Sequence, residues 1–392
     1  MQISNGEIVI HTSDRTMFRR CRRKAYYASK LWHGLRPIRV NSTLWLGTGI
    51  HKAIEMYYGY GHHLNSTFTA WAEEEIAKIR EAQGVTLDEL EKLNETISLG
   101  HAVLNHYKKF AEQHDDFSIY MVNDQPAVEV MFKVPIYHPG TQVQLTVHFI
   151  SHKPGMTEEQ VAFLEEHLYV DVPVFYGGRF DMIVEDTFGD LWIVDHKTAR
   201  SFTDWSKLSI DTQVGSYIWA AENTLPLDRR INGVIYNGLK KTVPHPPELL
   251  KKGGLSKNKQ QNTTYELYLD AIQQYNLDPD DYVDILEYFK EQITVTPNVI
   301  ETKYFRREKT RRSADEVRNI YHGIYQEALD MIRAQFFYPN PTRDCSWDCD
   351  FVELCRSLYN NEDVGYMIDT LFEKRPDEED EFSIRVSAEG GE

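Results

Sequence analysis

The chain has 392 residues, 41% of them apolar and 26% charged, a composition that excludes a largely disordered protein. No apolar run approaches the roughly eighteen residues of a membrane span, and MQISNGEIVIHTSDR lacks the basic and apolar regions of a secretory signal. A cytoplasmic location without a membrane partner is therefore expected. The net charge of −17 is unevenly spread: residues 361–392 hold eleven acids against three bases, Arg15 to Lys30 holds seven bases and no acid, and Lys303 to Arg312 holds six bases against Glu308. Local patches of this kind, rather than the total, decide whether a phosphate backbone can be held.

Ser13-Asp14 has the chemistry of a helix start and predicts a helix over Arg15–Ser29. Further helices are expected over Leu46–Tyr58, Thr67–Arg80 and Thr86–Gln113. Alternating β-branched and aromatic residues then predict strands at Ala127–Val134, Gln142–Ser151, Val174–Glu185 and Leu191–His196, with turn chemistry at Asp186–Asp190. A helix over Asp211–Ala221 and a strand over Ile231–Asn237 follow. Gly238 to Thr264, rich in Lys, Pro and Gly, reads as a long loop. Helical residues from Tyr265 to Gln292, a strand at Val299–Arg306, a helix over Ser313–Gln335, a cysteine segment and the acidic tail complete the chain.

Two acids stand out. Gly178-Arg179-Phe180-Asp181 is followed by Asp195-His196-Lys197, and a hairpin would set Asp181 and Asp195 side by side at one sheet edge. Converging carboxylates repel unless a cation lies between them, and hard oxygen ligands suit Mg²⁺ or Mn²⁺. Lys197, two residues beyond Asp195, leaves the same strand face, where an ammonium can orient a water and steady charge on a scissile phosphate. His51, in the second predicted helix, is a candidate third metal ligand.

The four cysteines, Cys21, Cys345, Cys349 and Cys355, suit a metal site better than disulfides in this setting. Four thiolates accommodate either Zn²⁺ or an iron–sulfur cluster.

In order, these features resemble the RecB-like exonuclease branch of the PD-(D/E)XK nuclease superfamily, which includes the CRISPR-associated RecB-like exonucleases. The matching positions are His51, Gly178-Arg179-Phe180-Asp181, Asp195-His196-Lys197 and Gln213-Val-Gly-Ser-Tyr217, with Glu129 fitting a recurrent acid near the start of the sheet. The resemblance implies an α/β fold with a restriction-endonuclease-like core, a central mixed β-sheet flanked by helices. It implies metal binding by His51, Asp181 and Asp195, catalysis by Lys197 with Asp181 and Asp195, and substrate contacts from Gln213, Tyr217 and Arg179. It also implies a [4Fe–4S] cluster on Cys21, Cys345, Cys349 and Cys355, although the first gap here is Cys-x3-Cys where the branch has Cys-x2-Cys; Zn²⁺ is the alternative.

The expected organisation is an N-terminal helical region (1–120), a nuclease core (121–310) with the Lys-rich insertion at 238–264, a C-terminal helix with the cysteine segment (311–360), and a flexible acidic tail (361–392). The expected function is a Mg²⁺- or Mn²⁺-dependent DNA exonuclease in recombination, repair or phage DNA processing. A non-catalytic nucleic-acid-binding scaffold subunit and a zinc-stabilised endonuclease are the alternatives. No Gly-x4-Gly-Lys-Ser/Thr phosphate loop is present, so unwinding of DNA would require a helicase partner in trans.

Overall fold

The structure, a computed structural model, describes residues 6–38, 42–81, 87–149, 170–199, 202, 205–375 and 385–387. Strand β1 (Ile8–His11) leads into α1 (Thr12–Arg20) and α2 (Arg22–Ala28), and β2 (Leu35–Pro37) follows. Three longer helices come next: α3 (Ser42–Tyr60), α4 (Leu64–Glu81) and α5 (Leu87–His114). The short strands β3 (Phe117–Ile119), β4 (Met121–Val122) and β5 (Gln125–Pro126) precede β6 (Val128–Pro135), β7 (Thr146–Phe149), the long β8 (Val170–Asp186) and β9 (Leu191–Ala199). Helix α6 (Thr212–Thr224) crosses to β10 (Ile231–Lys240). Then come α7 (Tyr265–Gln274), α8 (Val283–Glu291), β11 (Thr294–Val295), β12 (Val299–Glu301) and β13 (Phe305–Arg311). The chain closes with α9 (Ala314–Arg333), α10 (Val352–Tyr359), α11 (Gly365–Leu371), β14 (Phe372–Lys374) and β15 (Arg385–Ser387).

The main sheet runs β11-β12-β13-β10-β9-β8-β6-β15, with β1, β3 and β7 also pairing with β8. It is mixed: β8 and β9 form an antiparallel hairpin, whereas β9 and β10 are parallel. A parallel pair needs a crossover, and α6 supplies it. The hairpin turn is held by Asp186, whose Oδ1 accepts the N–H groups of Phe188 (2.9 Å) and Asp190 (3.0 Å). Leu191-Trp-Ile-Val194 is buried on both faces, as a central strand requires. One face packs against α1, α6 and α9 through Phe18, Ile218 and Ile324, and the other against α3 and α5 through Ile54 and Tyr107. The central mixed sheet flanked by helices is thus as expected from the sequence.

Several boundaries differ. The first predicted helix is two, because Cys21 is extended (φ −159°, ψ 112°) and caps α2. β1, not anticipated, pairs in parallel with Val174–Gly177. The expected strand Gln142–Ser151 is reduced to β7, since Gln142 adopts φ +56° in a turn, and Ser151 lies outside the described residues. Val299–Arg306 divides between β12 and β13, which pair antiparallel. Within the segment expected as a flexible tail, Gly365–Leu371 forms α11 and Phe372–Lys374 forms β14, which pairs with β2. Residues 376–384 and 388–392 of that tail lie outside the described residues.

Candidate active site

Residues two apart on a strand normally share a face. Phe180 and Met182 do not: they join different apolar clusters on opposite sides of the sheet, and so do Val130 and Val128 on β6. Between each pair lies one acid, Asp181 on β8 and Glu129 on β6, with Glu129 at φ +46°. Both strands change face at these two positions. The resulting irregularity brings the carboxylates towards His51 on α3, and the ligand atoms of His51, Glu129 and Asp181 all lie within 4.8 Å of one another.

Asp195 and Lys197 project from β9 on the side of α6, and His196 projects on the side of α3 and α5. Lys197 Nζ lies 2.9 Å from Asp195 Oδ1, and the His196 backbone N–H donates to Asp181 Oδ2 at 2.6 Å. His51 Nδ1 is 3.7 Å from that same Asp181 oxygen. Arg179 Nε is 2.7 Å from Glu129 Oε2. The expected hairpin juxtaposition of Asp181 and Asp195 is present.

The electrostatics reflect crowded acids. Burial, reinforced by Asp181, pushes the Glu129 carboxyl up to about 8. Burial also raises Asp195, to about 6, with Asp181 adding to the rise and Lys197 opposing it. Burial works against the Asp181 charge too, but His51, His196 and Lys197 hold that carboxyl below its ordinary value. His51 is lowered by burial, against the pull of Asp181. Burial opposes the charge on Lys197, yet the Asp195 and Asp181 carboxylates outweigh it and raise its pKa.

A divalent cation fits this donor set. One imidazole and two carboxylates converge, and the neighbouring Asp195 Oδ2 is buried without a hydrogen-bond partner among the described residues. Glu129, the least secure match in the sequence, therefore sits among the candidate ligands as closely as His51 and Asp181. Gln213 and Tyr217, one turn apart on α6, bond to each other, the Gln213 amide nitrogen donating to the Tyr217 hydroxyl at 2.8 Å. Tyr217 is buried and lies close enough to Lys197 and Asp195 for their charges to act on it.

The cysteines do not assemble as expected. Among the described residues no three of them bring their sulfurs within 4.8 Å of one another, so they are not gathered as a single tetrahedral Zn²⁺ would gather them, and their arrangement lends no support to a cluster. Cys21 Sγ instead accepts N–H groups from Lys24 (3.5 Å) and Asn340 (3.4 Å), and Arg23 Nη1 is 3.4 Å from Cys355 Sγ. The first helices are joined to the C-terminal segment by other means. Arg20 pairs with Asp344 and Asp348, the Lys24 ammonium donates to the Asp348 carbonyl, and Tyr27, Leu35, Phe351, Leu354 and Phe372 form one apolar cluster.

The basic runs are also largely spent internally. Arg15 pairs with Glu327, Arg22 with Asp330, Arg306 with Glu301 and Glu308, Arg307 with Asp115, and Lys309 with Asp116. Sequence alone does not reveal these partners, which lie up to 312 positions away.

No helix among the described residues is long and apolar enough to cross a membrane. The family model of the PD-(D/E)XK nuclease superfamily matches residues 13–356. No curated protein matches significantly. Among solved structures, a chain titled "Crystal structure of SSO0001" is similar over 91% of this chain and 89% of that one, with 10% identity and a TM-score of 0.29.

Proposed function

This chain belongs to the PD-(D/E)XK nuclease superfamily, and on that premise we propose that it is a Mg²⁺- or Mn²⁺-dependent DNA exonuclease. The observation that carries the reading is the convergence of His51, Glu129 and Asp181 beside the Asp195–Lys197 pair. His51, Asp181 and Asp195, joined by Glu129, would hold the cation. Bound there, it would supply Lewis-acid polarisation of a phosphoryl oxygen and a water of lowered pKa.

The chain's own groups have separable tasks. Lys197, positive and 44% exposed, faces the open side of the site and can donate to a phosphate oxygen or orient the attacking water. Asp195 anchors that ammonium through one oxygen and keeps the other for the cation. The His196 N–H orients Asp181 by taking up its Oδ2. Arg179, half-exposed beside Glu129, is placed to meet the substrate backbone, while Gln213 and Tyr217 support the wall beneath Lys197.

End-dependent cutting, DNA as substrate, and a recombination or repair setting with a helicase acting in trans come from the ordered sequence motifs. The four cysteines enter only through the same order, as candidate [4Fe–4S] ligands. Purified protein that is colourless and free of iron would remove the cluster from the reading.

The test is digestion of end-labelled linear and circular DNA with Mn²⁺, Mg²⁺ or EDTA, comparing the wild type with Asp195→Ala. Linear DNA lost from its ends, with circular DNA spared and activity abolished by EDTA and by the substitution, is expected. Inactivity with every metal would overturn the nuclease reading, and cleavage of circles would overturn the exonuclease part alone.

A further inference from the structure

A connected set of polar groups, unused by the chemistry above, lies behind the site, with Arg307, Asn237 and Tyr107 buried and Tyr58 and Asp115 reaching towards solvent. Arg307 on β13 is 2% exposed; its Nε donates to Asn237 Oδ1 at 3.2 Å, and its Nη2 is 2.8 Å from Asp115 Oδ1. A guanidinium nitrogen only donates, so the Asn237 oxygen faces Arg307 and its NH2 must face the other way. That NH2 lies 2.9 Å from the Tyr107 hydroxyl and 2.8 Å from His196 Nδ1. The Tyr107 hydroxyl is 2.9 Å from that of Tyr58, whose own hydrogen goes to Asp115 Oδ2 at 2.7 Å. Donors thus run one way from Arg307 through Asn237, Tyr107 and Tyr58 to Asp115, and the Arg307–Asp115 ion pair closes the ring. Around its buried members the packing is largely apolar, where such hydrogen bonds are stabilising only while each partner is kept.

We propose that this ring is a positioning device for the candidate active site, with Asn237 as the residue that couples it to the strand bearing Asp195 and Lys197. Asn237 holds the imidazole of His196, the residue between those two. The His196 peptide N–H in turn holds Asp181 at 2.6 Å. The opposite limb reaches α3, because Tyr58 lies seven residues, two helical turns, after His51 and so shares its face. One closed ring therefore sets the strand that carries Asp195 and Lys197 against the helix that carries the candidate imidazole. None of its five members touches a reacting atom.

A spectroscopic consequence follows from donor bookkeeping alone. The Asn237 NH2 offers only hydrogens, so His196 Nδ1 must accept and the ring proton must sit on Nε2.

The inference rests on the metal-site reading, and its test separates the two. Asn237→Asp keeps the acceptor for Arg307 and removes the donor to His196. In the full chain this variant should melt close to the wild type, move His196 out of the Nε2–H form in metal-free ¹⁵N NMR, and weaken Mn²⁺ binding by about 10–100-fold. Tyr107→Phe, which opens the ring but leaves the His196 contact intact, should keep the tautomer and weaken Mn²⁺ binding by a smaller factor than Asn237→Asp does. Should Asn237→Asp fail to fold, Asn237→Ser provides the same readouts. An unchanged tautomer and unchanged Mn²⁺ affinity in a folded Asn237 variant would overturn the positioning role alone. Absence of Mn²⁺ binding by the wild type would overturn the metal reading, and this inference with it.

Discussion

Lys197 Nζ stands 2.9 Å from Asp195 Oδ1, while the other oxygen of the same carboxylate is buried and meets no donor among the described residues. One side chain thus holds a lysine through one oxygen and buries the other unsatisfied, beside the acid Asp181 that acts on it. The Lys197 side chain is 44% exposed, so its loss gives up little buried apolar contact. Lys197→Met should accordingly lower cleavage by about a hundredfold or more and leave the melting temperature within a few degrees. Cleavage at wild-type rate would remove Lys197 from the chemistry.

Asp181 is crowded by Glu129 and Asp195, and that crowding has a sign. Its own carboxyl is nonetheless held below the ordinary range by His51, His196 and Lys197, so without metal Asp181→Asn should be somewhat less stable than the wild type in EDTA. With Mn²⁺ at a hundred times its dissociation constant, the wild type should gain about 2.7 kcal/mol and the variant far less. Denaturant melts in EDTA and in Mn²⁺ read both arms. Equal gains in the two proteins would place the cation elsewhere.

Much of this site is legible from short-range pattern. A strand period of two places Asp195 and Lys197 on one face, and turn chemistry at Asp186–Asp190 brings Asp181 beside them, because both relations are set within a few residues. Glu129 is less legible, since its role depends on a face change at φ +46° that alternation alone does not foretell. Asn237, Tyr107 and Arg307 are invisible for a different reason: their partners are 41 to 193 positions away and come together only when α5, β10 and β13 pack. The basic run at Lys303–Arg312 misleads by the same route, because Arg307 is buried against Asp115 rather than presented to solvent.

Gly233 shows how tightly the outer sheet is drawn. A Cβ at this position would lie 2.2 Å from the Thr310 carbonyl oxygen and 2.8 Å from the Arg311 Cα, both backbone atoms of the neighbouring strand. Backbone cannot rotate aside as a side chain can. Gly233→Val should therefore destabilise by about 1–3 kcal/mol, or break the β10–β13 pairing outright. Equilibrium unfolding measures it, and a change below about half a kcal/mol would show that the strands separate freely here.

His106 supplies a pH dependence away from the candidate ligands. Burial, with Lys109 adding to it, depresses its imidazole from 6.5 to about 4, and its ring packs edge-on against Tyr304 and Phe305. The unfolded chain therefore takes up this proton at a higher pH than the folded one. The stability contributed by the neutral imidazole is complete above about 6.5 and is lost as the pH falls towards about 4, below which this group adds no further slope. His106→Gln should flatten the fall of the unfolding free energy across that window and leave the profile above pH 7 parallel to the wild type. An identical slope in the variant would show that other groups carry the acid sensitivity.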